Sequence, residues 1–416
     1  MISLPKREYG GTIKAPSSKS DGHRALIAAA LVKEGVSKIS NVYFSNDIKA
    51  TISSLESLGA KFTIDNDIVY VKGISFSNDN PILNCEESGS TLRFLLPLAT
   101  HFSNSSTFIT KGKLGSRPLD VYEELFSISR TLQFTKSEGK LEGGILEIDG
   151  SISSQFISGL LFILPLLKND STIIIKNKIA SLSYILMTIK LLKEFNVNIN
   201  FDIESKRITI PGNQEYKKVE YVVENDFSQA SFFLSLGAIS SLPITVEGLD
   251  MNSLQPDKNI ISILQSMGVS LKIENDQITT KKSLIKKTTV SLDENPDLGP
   301  ILMGISAFAE EDITFTNISR LRIKESDRVE AMRDNLEKLG VTLELIDTDT
   351  CIVHPSKLKT PSKTLSSYND HRIFMTLVLI THELKEVTID DEKCVNKSYP
   401  TFLEDLKTIE KETTYE

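Results

Sequence analysis

The stretch EAMRDNLEKLGVTLEL at residues 330–345 decides the fold. An amphipathic helix runs into a short turn at Gly340, and a strand of alternating apolar residues, 341–345, follows it. Gly at such a turn fits a left-handed helix C-cap, and a period of two marks a half-buried strand. The same phrase recurs as TISSLESLGAKFTI at 51–64, LFSISRTLQFT at 125–135, MTIKLLKEFNVNINF at 187–201 and IISILQSMGVSLKI at 260–273. Its turn positions are Gly59, Gln133, Asn196, Gly268 and Gly340, which by subtraction lie 74, 63, 72 and 72 residues apart. A last helix, FLEDLKTIEKE at 402–412, falls about one period later. Repeats of this length are too long for a common solenoid and fit small α/β units of several strands. Six units suggest two domains of three. The boundary is expected after Glu224, and the segment before Ile13 reads as a strand outside the first unit. A chain that crosses twice predicts one domain over 13–224 and a second from 1–12 plus 225–416.

The rest of the sequence narrows the function. The chain has 416 residues, 40% of them apolar and 25% charged, as in a folded globular protein. Its 47 Lys and Arg against 55 Asp and Glu give a net charge of -8, which argues against broad nucleic-acid binding. Cys85, Cys351 and Cys394 are too far apart for a metal-ligand pattern or a disulfide framework and read as reduced thiols. The N-terminus lacks a signal-peptide core, and the longest apolar stretch, 156–167, is too short to span a bilayer. The expectation is a cytoplasmic chain with no metal and no membrane partner.

Helix N-termini carry partial positive charge, so basic residues are disfavoured there. This sequence breaks the rule repeatedly. Lys19 and Arg24 flank a start capped by Ser20 or Asp21, in a helix expected to end near Gly35. Arg93 follows Ser88-Gly89-Ser90, and Arg117 precedes Pro118, which suits a first helical position. Arg328 follows Ser326 or Asp327 as cap, with Glu330 placed for a capping box, and Arg372 follows Asn369 or Asp370. Backbone N–H groups and guanidinium groups converge on one ligand class, an anion. A small substrate with several negative charges is implied. Ser153, Ser154 and Gln155 open a nearly all-apolar helix and are placed for a phosphate or a hydroxyl, or for plain capping. Asp226 and Ser228 read mostly as structural caps. Two carboxylates stand out for proton transfer: Glu325, between Lys324 and Arg328, and Asp297, ahead of an apolar helix. Lys19 and Lys397 are placed to neutralise anions or move protons, and His371 reads as structural. No phosphate loop, HExxH, GxGxxG after a first strand or GxSxG is present.

Taken in order, SSKSDGHRAL, ESGSTLR, SRP, DGSISSQF, SLSY, VENDFSQASFF, NPD, RIKESDR, YNDHR and CVNKSYPTF resemble the enolpyruvyl transferases, on the branch that acts on shikimate 3-phosphate. The resemblance implies two similar domains, each an inverse α/β barrel of three βαβαββ repeats, with the active site in the interdomain cleft. It implies transfer of the carboxyvinyl group of phosphoenolpyruvate to the 5-hydroxyl of shikimate 3-phosphate through a tetrahedral intermediate, with phosphate released and no cofactor. Lys19, Ser20, Arg24, Ser153, Ser154, Gln155, Ser181, Tyr184, Asp297 and Lys324 match the shikimate 3-phosphate contacts. Lys19, Gly89, Arg117, Gln155, Arg328, Arg372 and Lys397 match those of phosphoenolpyruvate. Asp297 matches the base for the 5-hydroxyl, Glu325 the proton donor and later acceptor, and Lys19 a further catalytic position. Arg93 belongs to a family motif. A monomer and sensitivity to glyphosate are also implied.

Departures at three places touch the finer contacts: Glu87 and Ser90 in ESGSTLR, Leu182 and Ser183 in SLSY, and Arg320, where Asn is common. Two other readings compete. A UDP-N-acetylglucosamine carboxyvinyltransferase usually carries a Cys in the loop that reads KGKLGSRP here. A non-catalytic anion binder would need neither Asp297 nor Glu325.

Overall fold

Strands such as Phe134–Glu138 and Arg207–Ile210 alternate exposed and buried side chains, so one face of each sheet must be covered. Two of the helices, Ser154–Ile163 and Phe227–Ile239, are buried almost all round. The computed structural model describes residues 1–75 and 79–411. Contacts divide the chain into a first unit, Ser17–Glu224, and a second made of Met1–Pro16 and the residues from Asn225 on.

The first unit holds α1 (Lys19–Ala30), α2 (Asn46–Ser57), α3 (Gly89–Phe102), α4 (Asp120–Glu123), α5 (Ser154–Ile163) and α6 (Leu182–Glu194). Its sheets run Glu220–Val222, Ser37–Ser40, Ile68–Lys72, Lys61–Asp65; Ile82–Asn84, Ser105–Ile109, Phe134–Glu138, Ser127–Arg130; and Gly144–Asp149, Ser171–Lys176, Arg207–Ile210, Asn200–Asp202. In each sheet the first pair is parallel and the other two pairs are antiparallel. Each sheet with its two helices is one βαβαββ repeat. The first repeat takes its leading strand, 220–222, from the far end of the unit, and this closes the ring of sheets.

The second unit repeats that wiring with α7 (Phe227–Ile239), α8 (Ile260–Ser266), α9 (Gly299–Ile305), α10 (Arg328–Lys338), α11 (His371–Ile380) and α12 (Phe402–Thr408). Two of its sheets are Gly11–Lys14, Ile244–Glu247, Gln277–Lys281, Ser270–Glu274 and Thr289–Ser291, Ile313–Thr316, Thr350–His354, Thr342–Leu345. The sixth repeat is assembled from both ends of the chain. Ile2–Pro5 pairs antiparallel with Glu386–Ile389, Glu8–Tyr9 pairs with Glu410–Lys411, and Leu365 bridges to Ile389.

Each unit is therefore an inverse α/β barrel, with helices inside and sheets outside. All residues of α7 are buried, and in α5 only Gln155 is not. A helix apolar on every side belongs in an interior. Phe94, Phe156 and Phe162 are at most 1% exposed, and each such side chain contributes about 1.5–3 kcal/mol of burial. No helix among the described residues is long and apolar enough to cross a membrane.

The end of the first unit is tied to its beginning. Ser18 N–H donates to the Glu224 carbonyl at 2.7 Å. The Asp21 carboxylate accepts from the Tyr221 hydroxyl at 3.0 Å and from Glu224 N–H at 2.9 Å. Burial pushes the Asp21 carboxyl up to about 6, against those donors.

Several local expectations are corrected. The chain leaves the second unit after Pro16 rather than after residue 12, because 11–14 is the edge strand paired with 244–247. LFSISRTLQFT forms two strands, 127–130 and 134–138, rather than a helix and a strand. Gln133 lies in the hairpin turn, where the Thr131 hydroxyl accepts from the N–H groups of Gln133 and Phe134. The other four turn residues adopt positive φ, as at Asn196 (65°) and Gly340 (86°). Ser18, not Ser20 or Asp21, caps α1, which ends at Ala30. Pro118 precedes α4 instead of opening it.

Candidate active site

In the first unit the side chains in question stand at or near the starts of inner helices. Ser88 caps α3 and Ser153 caps α5, each accepting from the backbone two or three residues on. The backbone there is held by the cap, so the residues just after it are set rigidly. Gly89 opens α3, and a Cβ on it would meet Nη1 of Arg117 at 3.0 Å and Oε1 of Gln155 at 3.7 Å. Arg93 donates from Nη1 to Gln155 Oε1 at 2.8 Å and from Nη2 to the Pro118 carbonyl at 3.0 Å. Its guanidinium lies over the Phe156 ring. Gln155 donates from Nε2 to Ser90 Oγ at 3.1 Å. Gly89, Ser90, Arg93, Arg117 and Gln155 thus form one group. Ser154 is buried beside it at the first position of α5.

A second group lies on neighbouring helices. Arg24 donates to Thr188 Oγ1 at 2.8 Å and to the carbonyls of Ser20 at 2.8 Å and Tyr184 at 3.3 Å. Its guanidinium lies over the rings of Phe94 and Tyr184. The Tyr184 N–H donates to the carbonyl of Ser181, which holds a left-handed φ of 53° ahead of α6. Thr188 in turn donates to Ser158 Oγ at 3.0 Å, joining α6 to α5. Lys19, first residue of α1, bonds Asp47 Oδ2 at 2.8 Å. The Asp47 carbonyl accepts from Thr91, two residues beyond Gly89. Sequence reasoning did not find Asp47.

In the second unit every candidate meets a common hub. Asp327 caps α10 and Asp370 caps α11. Arg328, 1% exposed, follows the first of these caps. Its Nη1 lies 2.8 Å from Asp297, its Nη2 2.9 Å from Glu325 and its Nε 2.8 Å from Asp370. Lys324 lies 3.2 Å from Asp297, Arg372 3.5 Å from Asp297 and Lys397 3.8 Å from Glu325. Arg372 is also steadied by Ser228 Oγ at 2.7 Å. Ser228 was read as structural, and its position as the second residue of α7 carried no sign of this contact. Asp370 was read only as a cap; it both caps α11 and pairs with Arg328. Glu330 completes no capping box. Its carboxylate pairs with Arg322 and Arg333.

The charges decide what this cluster can do. Four cations face three carboxylates, so the cations are already engaged rather than open. Burial pushes the Asp297 carboxyl up, but Lys324, Arg372 and Arg328 outweigh it and hold it well below the usual carboxylate range. Asp370 is also held low: burial raises it, and Arg328 more than offsets that. Burial lowers the Lys324 ammonium, and Asp297 only partly restores it. One guanidinium fork therefore fixes two carboxylates, Asp297 and Glu325, on adjacent nitrogens. An anionic ligand that drew Lys324 or Arg372 away from Asp297 would raise the proton affinity of that carboxylate. Ligand binding and base strength are coupled by construction. The cations do not all stand at helix starts: Lys19, Arg328 and Arg372 lie in first turns, Arg24 and Arg93 lie further along, and Arg117 lies outside any α-helix.

Comparison with known proteins extends this picture. The family model of EPSP synthase (3-phosphoshikimate 1-carboxyvinyltransferase) matches residues 5–406. The 3-phosphoshikimate 1-carboxyvinyltransferase of Clostridium beijerinckii is 40% identical, over 97% of this chain and 95% of that protein. That of Clostridium novyi is 40% identical over 98% and 97%. An EPSP synthase structure from Acinetobacter baumannii matches with a TM-score of 0.81 and 22% identity, over 98% of this chain and 97% of that one. At that identity the likeness speaks for the fold.

Proposed function

The chain belongs to the EPSP synthase family and is a carboxyvinyl transferase, and from that premise we propose which of its side chains hold the substrates and move the protons. It transfers the carboxyvinyl group of phosphoenolpyruvate to the 5-hydroxyl of shikimate 3-phosphate and releases phosphate. The single observation that carries the residue assignment is the Arg328 fork, which holds Asp297 and Glu325 on one guanidinium.

Asp297, held ionised by its cations, accepts the proton of the 5-hydroxyl as that oxygen bonds to the central carbon of phosphoenolpyruvate. Glu325 donates a proton to the methylene carbon, and a tetrahedral intermediate forms. The carbon–oxygen bond to phosphate then breaks while Glu325 takes a proton back from the methyl group, and the proton held by Asp297 leaves with the phosphate. Charge in the intermediate is stabilised by groups fixed before the reaction begins, which is usually the largest catalytic term. Arg328, Arg372, Lys397, Lys19, Gly89, Arg117 and Gln155 hold phosphoenolpyruvate. Lys19, Ser20, Arg24, Ser153, Ser154, Gln155, Ser181, Tyr184, Asp297 and Lys324 hold shikimate 3-phosphate. Both substrates carry a phosphate and a carboxylate, so each brings anions able to engage the cations now resting on Asp297, Glu325 and Asp47. The same reading places the chain in the cytoplasm as a monomer, where Cys85, Cys351 and Cys394 remain the buried free thiols they are here.

Phosphate release from phosphoenolpyruvate is expected with shikimate 3-phosphate and not without it. Release with UDP-N-acetylglucosamine instead would redirect the assignment. Glyphosate is expected to compete with phosphoenolpyruvate at Gly89. A methyl group at that position sits 3.0 Å from Arg117 Nη1 and pushes the guanidinium aside. Gly89→Ala is expected to raise both the KM for phosphoenolpyruvate and the glyphosate inhibition constant about tenfold, the equivalent of one lost hydrogen bond. Steady-state inhibition checks this, and an unchanged inhibition constant would reject it.

A further inference from the structure

Asp257 has no part in the roles above, yet it lies against residues that do. It sits in the turn Pro256–Asn259 that leads into α8 and is 2% exposed. Among the described residues its Oδ2 is buried with no hydrogen-bond partner. Its Oδ1 lies 3.4 Å from Nδ2 of Asn295, and Asn295 Oδ1 accepts from Asn259 at 3.0 Å. Asn295 stands at the head of the short turn that carries Asp297. On the other side, Ser228 and Arg372 both draw on the Asp257 carboxyl, and the Ser228 hydroxyl accepts from Nη2 of Arg372 at 2.7 Å. That same Nη2 lies 3.5 Å from Asp297 Oδ2. One buried carboxyl is thus linked to the turn beneath Asp297 and to the arginine beside it. A buried acceptor left half unused is costly and calls for a reason.

We propose that Asp257 is a positioning residue for the carboxyvinyl transfer: through Asn295 it fixes the turn that carries Asp297, and through Ser228 it fixes Arg372, so that base and anion clamp keep their register. The inference rests on the roles given to Asp297 and Arg372 above. The charged groups facing Asp257 are Asp297, Arg372 and Asp226. Burial and Asp297 push its carboxyl up to about 6, with Arg372 and Ser228 drawing it back. Its ionised form, which accepts from Asn295, therefore gives way to the neutral acid as pH falls through that value.

The test is steady-state phosphate release by the full chain between pH 5 and pH 8, as wild type, Asp257→Asn and Ser228→Ala. For Asp257→Asn, the KM for phosphoenolpyruvate is expected to rise and kcat to fall, each about tenfold, as for a lost hydrogen bond. The acid limb of kcat/KM near pH 6 in the wild type is expected to be absent in this variant. A merely structural residue would lower melting temperature and active fraction but leave KM and the limb in place, and that result would overturn the inference. Ser228→Ala cuts one link without touching the turn, so its KM is expected to rise about tenfold with kcat within about threefold. Should Asp257→Asn fail to fold, an unchanged KM in Ser228→Ala would still overturn the inference. A wild type that releases no phosphate would remove the family reading and this inference together. A working wild type with unaffected variants would remove this inference alone.

Discussion

Replacing Glu325 by Gln is expected to lower kcat about a thousandfold, within the range that general acid–base groups contribute. The amide keeps the shape and can still accept from Arg328 Nη2, now 2.9 Å from Glu325. It cannot deliver a proton to the methylene carbon or take one back. Substrate binding should survive, so the dissociation constant of shikimate 3-phosphate is expected to stay within about threefold. Single-turnover phosphate release and calorimetry on the same preparation separate the two effects. Turnover close to wild type would take Glu325 out of its role, and lost binding with retained kcat would make it a holding group instead.

The second large effect is on stability. Arg328→Met leaves Asp297, Glu325 and Asp370 together without the guanidinium that joins them. Breaking a buried ion pair from one side costs about 3–5 kcal/mol. For a unit of this size the melting temperature is expected to fall by about 10 °C. The pH dependence follows from the depressed carboxyls of Asp297 and Asp370. An acid held below its unfolded value contributes stability above that unfolded value, and the contribution is lost as pH falls through the folded one. Wild type and variant are therefore expected to differ most at neutral pH and to converge in acid. Thermal unfolding at pH 7 and pH 2, above and below the window set by the two depressed carboxyls, measures this. An equal deficit at both would mean that packing, not charge, accounts for the loss. Arg328→Lys keeps the charge but not the fork, and should fall between the two.

Local features of this chain were legible from its residues. The helix–turn–strand phrase could be read because Gly59, Gly268 and Gly340 each stand where a left-handed turn follows an apolar face. Asp327 could be read, beside Ser326, as a cap because a cap bonds a backbone group two or three residues away. The phrase failed at 125–135, where alternation was read as the end of a helix. There Ser127–Arg130 already runs as a strand, and α4 is too short to show a helical period. Partners distant in sequence left no local trace. Lys19 and Asp47 are 28 positions apart, Ser228 and Arg372 are 144 apart, and both pairs come from packing between helices. The balance of charge was missed for the same reason. Cations at helix starts read as an open array, whereas the carboxylates that occupy them arrive from other elements.

The sheet built from both ends of the chain has a consequence for synthesis. Residues 17–224 contain every strand of the first unit, so that unit has all its parts well before translation ends. The second unit does not: Ile2 must wait for Ile389, and Glu8 for Lys411. Until those late segments emerge, the N-terminal strands present bare backbone edges to the surrounding medium. Refolding of the second unit should accordingly be the slower event, governed by closure of the longest loop the chain contains.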